Sequence, residues 1–387
     1  MSEIRVDTIS EKTSGSGTTV SNLKNPNQPF RNLIINGDMK VAQRATSATT
    51  AVNGSYQTLD RWRFYESTDG TYTTAQTALS LADQASTGGQ THALDIQVTG
   101  ADTSIASNQF AFVIQFIEAQ NCQHLKFGTS SAVDLTLQFY VKSNLTGTTC
   151  GWISKEDSTF CQAPFEFTIN SANTWEKKTV TIPANAVIQG SASAVANDNG
   201  AGIGVAFALA LGSDFDNGTN LTWEAGGASY CTGNQINFMN STDNDLFITG
   251  VQLEVGSTAT EFEHLPFDVQ ESRCFRYMQT LAMTTNSIKV AAATSSSVAQ
   301  IDFEYPNGEM RTSPTITLPA AGNSSGTTAF LTAVGAYPST IGTHSVSTTT
   351  EIHTRVTCAS YSANLTAGGA HLFYSNGTNT FKMDAEL

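Results

Sequence analysis

The sequence predicts an all-β protein: a jelly-roll or β-sandwich domain, then a short linking helix, then a smaller C-terminal β domain. Three observations carry this expectation. Charged residues make up only 13% of the 387-residue chain, and Ser, Thr, Asn and Gly fill most polar positions, which suits short strands joined by many turns and not long helices. Apolar residues recur with a period of two, most clearly where Leu135, Leu137, Phe139 and Val141 alternate with Asp134, Thr136, Gln138 and Tyr140, so that one side of the segment faces a core. Turn signals punctuate the chain at Asn36-Gly37, Asn53-Gly54, Asp69-Gly70, Asp198-Asn199-Gly200 and Asn217-Gly218.

In chain order, residues 1–30 read as an arm and linker. A strand-like stretch, Glu3 to Ile9, precedes a segment from Ser10 to Pro29 that is too rich in Ser, Gly, Thr, Asn and Pro to fold without a partner. Residues 31–267 read as the jelly roll. Its first strand is expected just before the Asn36-Gly37 turn, and its last at Val251, Leu253 and Val255, which alternate with Gln252 and Glu254. Between them, Arg61 to Tyr65 places Trp62 and Phe64 on one side and Arg61, Arg63 and Tyr65 on the other. Trp62 is expected in the core, where its indole N–H needs an acceptor. Trp175, ahead of the strand Val180 to Pro183, is expected to cap that core, and Gly204 to Leu211 reads as a central strand covered on both faces. Residues 268–282 read as the linking helix: Asp268 can cap it with Glu271 three residues on, and Cys274, Tyr277, Met278 and Leu281 form a stripe at helical spacing. Residues 283–387 return to strand patterns at Val298 to Tyr305, Thr315 to Leu318, Thr350 to Cys358 and His371 to Tyr374. No internal repeat is visible.

Composition narrows the function classes. Nineteen basic against 33 acidic residues give a net charge of −14, which repels phosphate backbones and argues against nucleic acid as a partner. No apolar run is long enough for a membrane-spanning helix, so no membrane insertion is expected. Met1 to Ser10 carries acids and lacks an apolar core, so no secretory signal is expected. Six cysteines are scattered without a C-x-x-C pair. They are expected as isolated buried thiols in a reducing compartment, the alternative being a Cys150–Cys161 bridge across a hairpin.

Three groups of residues together resemble the tail-fibre and other appendage proteins of tailed phages, especially those infecting marine bacteria and cyanobacteria. They are Glu3-Ile-Arg-Val-Asp-Thr-Ile9; the pair Asn32-Leu-Ile-Ile-Asn-Gly-Asp38 (completed by Asp60-Arg-Trp62) and Gly250-Val-Gln-Leu-Glu-Val-Gly256 (followed by Glu261-Phe-Glu263); and Cys274-Phe-Arg-Tyr277 with Met310-Arg-Thr-Ser-Pro-Thr315 and Asp384-Ala-Glu-Leu387. The resemblance implies a structural virion component made in the host cytoplasm. It implies an arm, Ile4, Arg5, Val6, Asp7, Thr8 and Ile9, docking on other virion proteins by adding a strand, homotrimeric assembly, and β domains that take part in host-surface attachment. No heptad seam shows the trimer. The middle pair is also similar to the first and last strands of carbohydrate-binding jelly-roll modules. Alternatives within this reading are a capsid-decorating or head-fibre protein, a glycan-binding adhesin, and a polysaccharide depolymerase.

No catalytic residue is assigned. A depolymerase needs two suitably spaced carboxylates, and Glu156, Asp157 and Glu166 are candidates that any acidic β protein would offer. His92, His124, His264, His344, His353 and His371 form no H-x-x-x-H or H-E-x-x-H pattern, and no G-x-S-x-G elbow is present. Glycan binding needs exposed aromatic faces beside hydrogen-bonding groups. Trp152, Trp223 and Tyr230 lie in loop-like contexts and are the candidates, with packing at a sandwich edge as the plainer reading. No cofactor is expected, with one exception: Asp214, Asp216 and Asn220 surround Gly218 as a calcium loop would. That stretch lacks the distal bidentate Glu, and an ordinary Asx-rich turn is the plainer reading; Asp243 and Asp245 are a fainter version.

Overall fold

A computed structural model describes residues 30–283, 288–318, 329–332, 343–359, 365, 367, 369–375 and 379–387. The expected docking arm, Ile4 to Ile9, lies outside the described residues.

The strands of the first part are β1 (Thr49–Thr50), β2 (Arg63–Glu66), β3 (Thr71–Ala78), β4 (His92–Gly100), β5 (Phe110–Glu118), β6 (Leu135–Ser143), β7 (Gly147–Lys155), β8 (Cys161–Ile169), β9 (Glu176–Ile182), β10 (Ala201–Leu211), β11 (Glu224–Ala225) and β12 (Asp245–Val255). They form two antiparallel six-stranded sheets, β1-β3-β4-β12-β6-β9 and β11-β8-β7-β10-β5-β2. The alternation read in the sequence packs them face to face. Leu135, Leu137, Phe139 and Val141 of β6 are fully buried against Phe165, Phe167 and Phe207 of the facing sheet, with the Phe139 and Phe207 rings 4.9 Å apart and edge-on. The polar side of β6 is covered too: Thr136 donates to the Gly256 carbonyl and Gln138 to the Thr260 carbonyl at 2.8 Å.

The two ends of the sandwich meet as expected, with one correction. Asn32 to Gly37 is an irregular segment and not a strand. It is latched onto β12 where that strand's register shifts. The Leu33 N–H donates to the Leu253 carbonyl at 2.9 Å, the Val251 N–H donates to the Gly37 carbonyl at 2.9 Å, and the Asn32 amide bridges Val251 and Leu253. The left-handed residue is Asn36, at φ 59°. Gly37 is required instead by close approach, since a Cβ there would sit 2.1 Å from the Val251 carbonyl oxygen. Trp62 is fully buried and donates to the Asn36 carbonyl at 3.2 Å. Trp175 departs from expectation: it is half-buried on the outer side of the first sheet and donates to Asp83 at 2.7 Å.

The linking helix is Phe267–Phe275, shorter than expected, and its N-cap is Pro266, with Asp268 inside the first turn. There the carboxylate complements the helix dipole without capping it. Cys274 and Tyr277 bury against Ile35 and Val41. Met278 and Leu281 belong to a strand, because pairing with the chain's last strand overrides the helical spacing.

The remaining strands are β13 (Met278–Met283), β14 (Ile288–Ala293), β15 (Ala299–Glu304), β16 (Thr315–Thr317), β17 (Ala329–Thr332), β18 (Thr343–Thr349), β19 (His353–Ala359), β20 (Ala370–Ser375) and β21 (Asn379–Asp384). They form a three-stranded sheet, β13-β21-β16, and a six-stranded one, β17-β20-β14-β15-β19-β18, around a second core that includes Ile301, Phe303, Phe373, Phe381 and Met383.

The two parts meet at buried charge. Arg61, read on the side opposite Trp62 and Phe64, is fully buried at φ 73°. Its guanidinium pairs with Glu386, donates to the Phe116 carbonyl at 2.5 Å and stacks 3.5 Å from the Tyr277 ring centroid. Arg44 pairs with Asp384 at 2.8 Å and lies 3.6 Å from Asp60. Burial raises the Asp60 pKa to about 6, against the pull of Arg44 and of the Gln43 hydrogen bonds.

Removing one partner of a fully buried pair strands the other, so Glu386→Ala is expected to destabilise the chain by about 3–5 kcal/mol in urea unfolding. Asp60 has the opposite sign to a salt-bridged surface acid. Because its pKa is higher folded than unfolded, the native state holds the extra proton, and stability falls as pH rises from about 4 to about 6. In paired melts across that window, Asp60→Asn should show a shallower fall than the native chain.

Candidate functional site

The second sheet has an inner face that builds the core and an outer face of different character. On β5, Ala111, Val113 and Ile117 point inward, and Phe110, Phe112, Ile114 and Phe116 point outward. On β7, Ile153 points inward and Cys150 and Trp152 outward; on β2, Phe64 points inward and Tyr65 outward. Between β7 and β5 runs β10, whose outward positions are Gly204, Ala206 and Ala208. Across the ladders Ala206 sits opposite Trp152 on one side and Ile114 on the other, and Ala208 opposite Phe112. Small side chains between large ones leave a valley with aromatic walls.

The loop after β10 completes it by laying Phe215 and Tyr230 over the same face. The rings interlock: Tyr65 stacks on Phe112 at 4.5 Å, Trp152 meets Phe112 edge-on at 4.9 Å and Tyr230 at 5.1 Å, and Phe215 meets Phe110 at 5.8 Å. The resulting groove has a volume of about 220 Å³. Trp152, 2% exposed, is its floor, and the partly exposed rings of Tyr65, Phe110, Phe112, Phe215 and Tyr230 are its walls. Among the described residues, the Tyr65 and Tyr230 hydroxyls have no hydrogen-bond partner. Burial raises both phenol pKa values, and the Glu156 carboxylate adds to this. Glu156 is itself raised by burial while it accepts from the Ser154 hydroxyl at 2.5 Å. Farther along the face, Glu166 accepts from Thr232 at 2.5 Å and Asn234 at 2.9 Å.

Of the three aromatic residues singled out in the sequence, Trp152 and Tyr230 come together here and Trp223 does not. Trp223 is 1% exposed in the main core, edge-on to Phe127 at 5.4 Å. Tyr65, Phe110, Phe112 and Phe215 were not singled out. The signal for Phe110 and Phe112 is the run Phe110-Ala-Phe-Val-Ile-Gln-Phe116, apolar on both sides of a strand that has a core on only one.

Two of the three side chains of the suggested calcium loop are hydrogen-bonded within the fold, and the third residue is held by its backbone. Asp214 accepts from the Ser107 hydroxyl at 3.3 Å, Asn220 accepts from the Glu166 N–H at 3.1 Å, and Asp216 sits in a backbone bridge to Ser229. Among the described residues, no group of three or more His, Cys, Asp and Glu side chains is placed to hold a metal ion. The candidate acid Asp157 accepts from the Ala196 N–H at 3.0 Å. The hairpin bridge Cys150–Cys161 is not formed: Cys150 pairs in register with Glu166 and Cys161 with Lys155, and all six thiols are free and buried. Cys150 lies in hydrogen-bond contact with the Thr232 hydroxyl at 3.4 Å.

No family model and no curated protein matches the chain. Solved structures similar to it include a putative sugar binding protein from Bacteroides thetaiotaomicron VPI-5482, at 17% identity and TM-score 0.31, with 58% of this chain and 99% of that one covered. The enzymatically active domain of bacteriophage CBA120 tailspike protein 4 aligns at 12% identity and TM-score 0.29, covering 59% of this chain and 22% of that one. TmCBM61 in complex with β-1,4-galactotriose aligns at 10% identity and TM-score 0.27, covering 58% and 99%. The sandwich is thus distantly similar to carbohydrate-binding modules and to a phage tailspike domain. Likenesses of this degree carry no argument about a ligand.

The different settings of Trp223 and Tyr230 have different expected costs. Trp223→Ala should lower stability by about 3–5 kcal/mol, whereas Tyr230→Ala, at a half-exposed wall, should cost less than about 1.5 kcal/mol by the same denaturant titration.

Proposed function

We propose that this chain is a non-enzymatic structural component of a tailed-phage virion, whose β-sandwich binds carbohydrate on the host surface through the aromatic groove of its second sheet. One observation carries the binding half: solvent-facing aromatic walls over the Trp152 floor, with two tyrosine hydroxyls left to hydrogen-bond a ligand. Sugar C–H faces stack on such rings, and phenol groups fix their orientation. The virion half rests on the sequence resemblance of Glu3 to Ile9, Cys274 to Tyr277, Met310 to Thr315 and Asp384 to Leu387 to fibre proteins. Docking through the arm, homotrimeric assembly and a place on the tail belong to the same reading.

A glycan array of host-surface polysaccharides tests the groove. The intact protein is expected to bind, and Tyr230→Ala and Phe110→Ala to bind about tenfold more weakly or worse; no binding by the intact protein would sink the reading. Release of reducing sugar during the assay would make the chain a depolymerase instead. For the virion half, deletion of residues 1–30 should abolish incorporation into particles while leaving the sandwich folded.

A further inference from the structure

A second pocket, of about 380 Å³, opens where the C-terminal half of β5 meets the segment Phe30 to Ile35, the turn Ala119–Leu125 and the linking helix. Its polar lining is unlike the rest of this acidic chain. Arg273, Arg276, His124 and Asn121 line it, and among the described residues no Asp or Glu does.

The two arginines differ. Arg276 is spent: Nε and one terminal nitrogen fork onto Glu118 at 2.7 and 2.9 Å, and Tyr277 donates to the same carboxylate at 2.5 Å. Arg273 has no hydrogen-bond or ion-pair partner among the described residues. Glu263, the acid in its field, is occupied by the Asn32 N–H at 3.0 Å. Arg273 is partly buried, and burial pushes its pKa down, with Arg61 adding to this and Glu263 opposing it. A guanidinium matches the geometry of a two-oxygen anion edge, and such charge-assisted bonds are stronger than neutral ones. Asn121 and His124, both exposed at the rim, add an amide and an imidazole.

We propose that this pocket binds a single oxyanion, a carboxylate or a sulfate group, with Arg273 as its charged partner. Phe116 of the pocket and Phe112 of the aromatic groove lie on the same outward face of β5, four residues or about 14 Å apart. An acidic saccharide seated in the groove could therefore present its acid group here. That source rests on the groove reading; the site for the anion does not.

The test is calorimetric titration of the full-length protein at constant ionic strength. Sodium sulfate and sodium acetate report the free ion, and tetragalacturonate reports the acid on a saccharide. Saturable binding of at least one probe is expected, weakened about tenfold or more in Arg273→Gln. Asn121→Asp, an exposed substitution that adds a repelling charge, should weaken it likewise and covers the case in which Arg273→Gln fails to fold. Sulfate stabilises proteins generally by exclusion from their surface, so comparison with these variants is what counts. Loss of tetragalacturonate binding in Tyr230→Ala, with ion binding unchanged, supports the saccharide source. If Tyr230→Ala binds every probe like the intact protein, the groove reading fails for this ligand and the anion site stands. No saturable binding of any probe, or unaltered binding by both pocket variants, overturns the proposal.

Discussion

The Arg61 guanidinium holds together parts of the chain that sequence distance keeps far apart. It is fully buried, ion-paired to Glu386, bonded to the β5 backbone at Phe116 and stacked on Tyr277. A charge removed from water needs every one of those partners, and Arg61 reaches them only with its backbone in the left-handed region, which costs a residue with a side chain about 1–3 kcal/mol. Sandwich, linking-helix segment and C-terminal residues therefore all meet at this one side chain. The pocket beside it, between β5 and that helix, exists because this junction sets the two at a fixed spacing.

The second sheet does two jobs by the same alternation. One face supplies Val113, Ile153 and Phe207 to the core, and the other supplies Phe112, Trp152 and Tyr65 to the groove. Because both sets hang from the same strands, the groove inherits the rigidity of a packed interior, which is what a preorganised binding surface requires. Gly151 shows how tightly this is drawn. A Cβ there would lie 2.3 Å from the Ala206 carbonyl oxygen and 2.4 Å from the Phe165 ring, so β7 approaches β10 closely enough to hold Trp152 beside the valley.

Charge is distributed with the same economy. The chain is acidic overall, yet three arginines gather at one junction, where Arg61, Arg44 and Arg276 each face a carboxylate. Arg273 is the member of that neighbourhood left without one among the described residues.

Fold class was legible from local pattern. Period-two stretches such as Leu135 to Val141 became core strands, Trp62 went inside with its N–H satisfied, and the segments around Asn36-Gly37 and Gly250-Gly256 met. These features depend on neighbours in sequence, or on residue types that have one stable environment. What failed depended on partners far along the chain. Met278 and Leu281 keep helical spacing, but β21 pairs with them about a hundred residues later. The burial of Arg61 is not legible without Glu386. Trp152 and Trp223 stand in similar polar contexts, yet one floors a groove and the other fills the core. By itself the sequence determined how each strand divides into two faces. Which face meets another sheet and which meets solvent was decided only by tertiary packing, because alternation has no sign until a second layer covers one side.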